Sequence, residues 1–349
     1  MKFLLISTGG TIASVASEQG LIPKLPGEKL LETCPLMMGF EHDLEILDLF
    51  SKDSSNMNPS DWLEMAQCIR SYSVRSHCVR SNSSADAVVM LHGTDTMAWT
   101  ATALSYLLPD IEIPVVLTGS MKPAGEPGSD AADNIYAAFQ FGLQLAMYKR
   151  KGVSIAFADT LIHGPKATKI DSHRKQAFIS VDYPLLGEMA DKGSHKVAWL
   201  SPHIPKFQGS GPWYSTSRDS GIETNIALVP IFPGMKAAWL DTVIAAAPKA
   251  VVLEGFGLGG VPYMGENLLE PIKRGIEAGI PFVLRTQSPF GGTDLSVYEV
   301  ARKAMDLGVI SAQGMTREAL LVKLMLLLPV AGGEKLKENL YSNLCDDVW

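Results

Sequence analysis

Residues 1–14, MKFLLISTGGTIAS, decide how this chain is read. Residues 2–7, KFLLIS, are an apolar run of strand length. Thr8-Gly9-Gly10-Thr11 then close it with a glycine pair set between hydroxyls. Paired glycines free the backbone for positive φ and let other atoms approach the main chain closely. The plain reading is an ordinary turn between a strand and a helix. The sharper one is a nucleophile mounted at the carboxyl end of a parallel strand, where open α/β sheets bind ligands. A signal peptide would need a longer apolar core and a cleavage site. Here the apolar run passes straight into the glycine turn, so it reads as the first strand.

Further strand-length runs follow at 43–50, 86–93, 114–120, 152–159, 250–257 and 281–287. Most are continuous rather than alternating, the pattern of strands covered on both faces in a mainly parallel sheet. Helical segments separate them. Asn58-Pro59 opens one, with a capping residue followed by proline at the first helical position, and Leu63, Ala66, Ile69 and Val74 mark its apolar spacing. Others are expected at 97–108, 133–148, 266–278, 297–307 and 316–328. Strand–helix alternation implies a doubly wound α/β sheet. The 349 residues exceed one comfortable core. Residues 200–224 are rich in Pro, Gly and Ser and interrupt the rhythm. The organisation expected is a larger N-terminal catalytic α/β domain over 1–199, a linker over 200–224 and a smaller C-terminal α/β domain over 225–349. No internal repeat or low-complexity segment is visible.

Composition narrows the function. A chain that is 46% hydrophobic and 19% charged is an ordinary globular sequence. Its net charge of −7 argues against a nucleic-acid platform and against an anionic membrane surface. No run reaches the length of a membrane span. Four scattered cysteines, Cys34, Cys68, Cys78 and Cys345, match neither a zinc pattern nor a disulfide framework. They read as reduced thiols, the cytoplasmic state. The seven histidines form no HExxH or other ligand spacing, so no metal is expected. GxSxG and phosphate-loop motifs are absent. Gly255-Phe256-Gly257-Leu258-Gly259-Gly260 fits GxGxxG after a strand. Val261-Pro262-Tyr263 follow before any helix, so a close-packed loop explains it better than dinucleotide binding.

Two further strand ends repeat the opening theme. His92-Gly93-Thr94-Asp95-Thr96 close the run 86–93, and Thr118-Gly119-Ser120 close 114–120. Turns of small and hydroxyl residues on adjacent parallel strands would pool into one pocket. Thr94 and Asp95 have a second reading, as caps of the helix at 97–108. Asp53-Ser54-Ser55-Asn56 form a fourth polar turn, or simply the lead-in to the helix at Asn58. A threonine hydroxyl needs an activating base. His92, Lys122, Lys169 and His173 are the candidates, and Asp95 is placed to orient a lysine.

TGGTIAS (8–14), HGTDTMAWTATALSYLL (92–108) and LTGSMKP (117–123) together resemble the bacterial-type L-asparaginases of the asparaginase/glutaminase family, closest to its cytoplasmic type I group. The resemblance continues through DSSNM (53–57), SDAADN (129–134) and ADTLIHGPKATK (158–169) and covers nearly the whole chain. It implies hydrolysis of the asparagine side-chain amide to aspartate and ammonia, without a cofactor. It implies Thr11 as primary nucleophile, and Thr94, Asp95 and Lys169 as a second triad, the lysine being assigned because Ala167-Thr168-Lys169 matches the family's lysine loop. Ser54 and Ser55 match residues that hold the substrate's α-carboxylate. The main chain at Ser120 matches the stretch that positions the amide. Relatives are dimers or tetramers, so a homodimer or homotetramer is expected.

The chain departs from the family at three places. Leu21 stands where many relatives carry a tyrosine that activates the first threonine, and Tyr72 is the first tyrosine of the chain. Tyr298, or a tyrosine of another subunit, are the substitutes considered. Gly260 matches poorly the asparagine with which relatives reach a neighbouring site. Ser288 falls near the allosteric cysteine of some cytoplasmic members. Residues 14–30 are expected to be a lid loop. Glutamine is an alternative substrate, since one methylene gives modest discrimination. A non-catalytic amino-acid-binding protein is the reading from another class, and the presence of the whole triad speaks against it. The archaeal amidotransferase component related to the family carries an extra N-terminal domain, a poor match to a chain that opens on strand one.

Overall fold

The opening run folds as β1 (Lys2–Gly9), buried along almost its full length. After it come a hairpin of β2 (Ser14–Ser17) and β3 (Gly20–Pro23), a short helix α1 (Gly27–Glu32), and β4 (Asp43–Lys52). Next in the chain are α2 (Pro59–Ser73), β5 (Ala87–Leu91), α3 (Met97–Leu107), β6 (Pro114–Thr118), α4 (Ala131–Met147) and β7 (Gly152–Phe157). The first unit ends with β8 (Thr160–His163), β9 (Ala167–Lys169), β10 (Phe178–Ser180), β11 (Gly187–Met189) and β12 (Val197–Leu200). The computed structural model describes residues 1–17, 20–73, 84–190, 196–206 and 221–348. The chain separates into two units, Met1–Gly209 and Ser210–Trp349. Residues 207–220 of the expected linker, with Val74 and Cys78, lie outside the described residues.

The main sheet has eight strands in the order β12-β11-β8-β7-β6-β5-β1-β4. Its pairs from β4 to β7 are all parallel. The pairs β7–β8, β8–β11 and β11–β12 are antiparallel, an edge that the apolar runs did not announce. Among the parallel strands, β4-β1-β5-β6-β7 is the doubly wound order in which direction of growth reverses beside β1. That reversal leaves a crevice at the carboxyl ends of β1 and β5. Phe3 and Leu5 of β1, Val89 of β5 and Val116 of β6 pack against Ile135 and Phe139 of α4 in one core. The alternate residues Leu4, Ile6, Val88 and Met90 are buried on the opposite face.

Local chemistry sets the helix starts. Asn58 Oδ1 accepts from Ser60 N at 3.0 Å, and Asp61 in turn accepts from Asn58 N at 3.0 Å. The buried face of α2 is Trp62, Met65, Ala66 and Ile69, so Ala66 and Ile69 face inward as expected, while Leu63 is exposed and Trp62 takes the place expected of it. Residues 14–30 are not the irregular loop expected from the sequence. They form the β2–β3 hairpin and the start of α1, because Ser14–Ser17 and Gly20–Pro23 pair in register. The hairpin's base is fastened where Lys24 N and Leu25 N both donate to Ala13 O at 2.9 Å.

The second unit carries a four-stranded parallel sheet, β13 (Ile226–Pro230), β14 (Ala250–Gly255), β15 (Phe282–Thr286) and β16 (Ile310–Ser311), in sequential order. Helices Ala237–Ala245, Leu269–Glu277, Glu299–Asp306, Arg317–Leu327 and Glu334–Tyr341 accompany it. Its own core gathers Leu240, Leu253, Ile272, Phe282 and Leu284. The GxGxxG stretch is a closed loop in which Phe256 and Gly260 bond each other's main chain, and the next helix starts only at Leu269. The architecture is thus a larger, mostly parallel α/β unit and a smaller parallel α/β unit.

Candidate active site

Turns after β4, β1, β5 and β6 lie side by side at one edge of the main sheet. Gly10, at φ 82°, leaves β1 where Gly93 leaves β5. A Cβ on Gly10 would sit 2.3 Å from Gly93 Cα, and one on Gly93 would sit 2.5 Å from Ser54 Oγ. The β1 and β5 turns therefore touch through their main chains, with the Ser54 side chain of the β4 turn against Gly93, and any side chain at either glycine would force them apart. Gly10 N donates to Lys52 O at 2.9 Å, tying the β1 turn to the end of β4. Thr96 Oγ1 donates to Ser54 O at 2.8 Å, tying the β5 turn to the β4 turn.

Each residue singled out in the sequence now has a place. Thr11 opens the 3-10 turn Thr11–Ala13 directly after the Gly10 contact and is partly exposed. Ser54 is buried beside Gly93, and Ser55 is exposed with its N–H held by Asp53 Oδ1 at 2.8 Å. Ser120 is fully buried, its hydroxyl donating to Lys122 O. Thr94 is buried at the start of the turn Thr94–Thr96, and neither it nor Asp95 caps α3, which carries no side-chain cap.

Thr94 and Asp95 instead meet Lys169. Lys169 Nζ lies 2.8 Å from Thr94 Oγ1 and 2.6 Å from Asp95 Oδ1. The lysine side chain is 15% exposed and that of Asp95 is 61% exposed, so the pair sits at the mouth of the crevice. Lys169 arrives there from β9, the segment after β8. At Gly164 that segment presses on α3 so closely that a Cβ would lie 2.9 Å from Ser105 Oγ. Of the other candidate bases, His92 is fully buried and His173 lies in an exposed turn held by Asp171. Lys122 is exposed.

Three supporting residues escaped the sequence reading. Asp130 accepts from Met121 N at 3.0 Å and Lys122 N at 3.2 Å, holding the turn after β6. Asn134 donates to Gly119 O at 2.9 Å and accepts from Ala158 N at 3.0 Å, bridging the ends of β6 and β7. Thr96 does the same between β4 and β5. Polar residues at the first turn of an apolar helix, as in SDAADN, are the signal that would have found Asp130 and Asn134. The hairpin after Thr11 carries no tyrosine, and Leu21 is half exposed on β3 opposite Ala16. Among the described residues, no group of three His, Cys, Asp or Glu is placed to hold a metal ion.

The arrangement offers hydroxyls from two adjacent strand ends, an ammonium held between a hydroxyl and a carboxylate, and free polar turns around them. Comparison with known proteins places the chain in a family. The family model described as "Asparaginase, N-terminal" matches residues 2–202, and that described as "Glutaminase/Asparaginase C-terminal domain" matches 225–337. An L-asparaginase of Thermococcus kodakarensis is 36% identical over 325 residues, covering 93% of this chain and 92% of that protein. One component of the glutamyl-tRNA(Gln) amidotransferase of Pyrococcus furiosus is 33% identical over 330 residues, covering 93% of this chain and 71% of that protein. The solved structure of the thermostable L-asparaginase from Thermococcus kodakarensis matches with a TM-score of 0.85 at 33% identity, over 100% of this chain and 99% of that one. With the N-terminal and C-terminal family models both matched and a relative at this identity along the chain, the protein belongs to the asparaginase family.

Proposed function

We propose that the protein hydrolyses the side-chain amide of L-asparagine to L-aspartate and ammonia. The observation that carries this reading is the Lys169 ammonium seated between Thr94 Oγ1 and Asp95 Oδ1 at a doubly wound sheet's switch point. Amide hydrolysis needs a nucleophile, a proton route to the leaving nitrogen and donors for the developing oxyanion. Thr11 supplies the nucleophile. Its oxygen bonds to the amide carbon and gives up its proton, the carbon–nitrogen bond breaks, and ammonia leaves with a proton handed through Thr94 from Lys169, which the Thr11 proton replaces. Water then cleaves the threonine ester, releasing aspartate and restoring the hydroxyl. Asp95 orients Lys169 and accepts the substrate's α-ammonium, while Ser54 and Ser55 hold its α-carboxylate. The main chain at Ser120 positions the amide.

Ammonia release from L-asparagine and L-glutamine by the wild type, Thr11→Ala, Thr94→Val and Lys169→Met tests the assignment. Asparagine is expected to be the faster substrate. Each variant should lose at least about a hundredfold in kcat, the scale of a removed nucleophile or proton carrier. Faster release from glutamine would make the protein a glutaminase. Asparagine binding with no ammonia released would leave an amino-acid-binding protein in place of an enzyme.

A further inference from the structure

His92 lies one residue before the Gly93–Thr94 peptide, and it is buried to 0% exposure, out of reach of any substrate. Its two ring nitrogens are both engaged. Nδ1 is 2.7 Å from Gly93 O, and Nε2 is 2.9 Å from Thr100 Oγ1. Thr100, also fully buried on α3, receives a hydrogen bond from Trp62 Nε1 on α2 at 3.1 Å. These three contacts fix where the protons are. An indole N–H can only donate, and a hydroxyl has a single proton to give. Gly93 O can only accept, so Nδ1 must carry a proton, and Nε2 of the neutral ring is left to accept from Thr100, whose oxygen receives Trp62. The ring proton then sits on Nδ1 and is donated to the Gly93 carbonyl. Burial agrees, since it pushes the ring down from 6.5 to about 4.

A carbonyl and the N–H of the same trans peptide point in opposite directions. Drawing Gly93 O toward the imidazole therefore turns the Thr94 N–H the other way. No backbone partner is found for that N–H among the described residues. The Gly93 position leaves no slack, because Ser54 and Gly10 close on it from the far side.

We propose that His92 is a positioning residue, held as its Nδ1–H tautomer by the Trp62–Thr100 donor chain, that anchors the Gly93 carbonyl and so aims the Thr94 N–H at the oxyanion of the bound amide. The oxyanion role rests on the hydrolase reading above; the tautomer lock does not. The device is distinct from the Lys169 triad. It moves no proton during turnover, and it acts on the main chain rather than on the Thr94 hydroxyl.

Nitrogen-15 NMR of the full wild-type chain labelled at histidine reads the tautomer directly, with the His92 signals assigned by their loss in His92→Gln. A protonated Nδ1 and a bare Nε2 are expected. Thr100→Val keeps the shape and removes the hydroxyl, whereas Thr100→Ser keeps the hydroxyl. Thr100→Val should lower kcat about tenfold or more with KM within about twofold, because a donor that serves only the transition state is misplaced. Thr100→Ser should recover most of that loss. A protonated Nε2 in the wild type overturns the relay. So does equal kcat in the valine and serine variants. The wild-type tautomer is decisive even where Thr100→Val fails to fold. A wild type that releases no ammonia removes the oxyanion role together with the hydrolase reading, whereas the wrong tautomer in an active enzyme removes the relay alone.

Discussion

At the scale of single residues, the site depends on atoms whose surroundings allow one arrangement. His92 shows this in its thermodynamics as well as its geometry. Desolvation holds its ring at about 4 in the folded chain against an ordinary 6.5, a nearby Gly93 carbonyl and Asp61 offsetting a smaller part. As pH falls below 6.5 the unfolded chain takes up a proton that the folded chain refuses. The neutral ring's contribution is therefore present in full above 6.5 and lost as pH falls to 4. A shift of this size corresponds to about 3 kcal/mol, as an upper bound on what one group moves. Urea unfolding at pH 7 and pH 4.5 should show wild type losing more stability over this interval than His92→Gln. Equal losses in the two proteins would mean that His92 does not titrate on unfolding.

At the scale of elements, the β2–β3 hairpin follows Thr11 and is held at its base. Its base is bound by Ala13 O and by Ser51 Oγ, which donates to Pro23 O at 2.8 Å. Gly27 N donates to Asp48 Oδ1 at 2.8 Å just beyond it. Ala16, Ser17, Gly20 and Leu21 are exposed. A hairpin tied at its base, with exposed residues along both arms, is suited to close over a small substrate. Hydrogen exchange with and without L-aspartate should show slower exchange across 15–22 on binding, while Lys24 and Leu25 amides are protected in both states. Unchanged exchange at the tip would make the hairpin a fixed wall.

The hairpin also marks where sequence reading runs out. The parallel strands were legible because KFLLIS, AVVML and PVVLT are short, apolar without alternation and closed by turns, the pattern of a strand covered on both faces. TGGTIAS and HGTDT were legible because both put glycine where main chains touch. The antiparallel edge β8–β11–β12 was not, because strands of three or four residues are too short to show a period. Nor was the hairpin, whose GLIP arm contains no strong strand signal beyond Leu21 and Ile22. The Trp62–Thr100–His92 chain spans α2, α3 and β5, and no spacing in one element reveals a contact among three.

At the scale of the whole molecule, each unit has its own core, and in the second unit the helix Glu334–Tyr341 packs on the helix Arg317–Leu327 with the residues after it buried. Leu336, Leu340, Leu344 and Val348 are buried. Lys323, from the helix Arg317–Leu327, reaches Asp347 Oδ2 at 2.6 Å with both side chains at 0% exposure. Its ammonium also donates to Ser342 O at 2.7 Å, and Leu344 N donates to Asp347 Oδ1 at 3.1 Å. Removing one member of so deeply buried a pair strands the other charge, at a cost of about 3–5 kcal/mol. Removing both together leaves no charge to strand and costs far less. Asp347→Ala should therefore lower Tm and expose the tail to carboxypeptidase. The double variant Lys323→Met, Asp347→Leu should recover most of the lost stability. A double variant as unstable as Asp347→Ala would place the loss in the hydrogen bonds to Ser342 and Leu344 rather than in the stranded charge. Unchanged Tm in Asp347→Ala would show that the buried pair does not hold the tail in place.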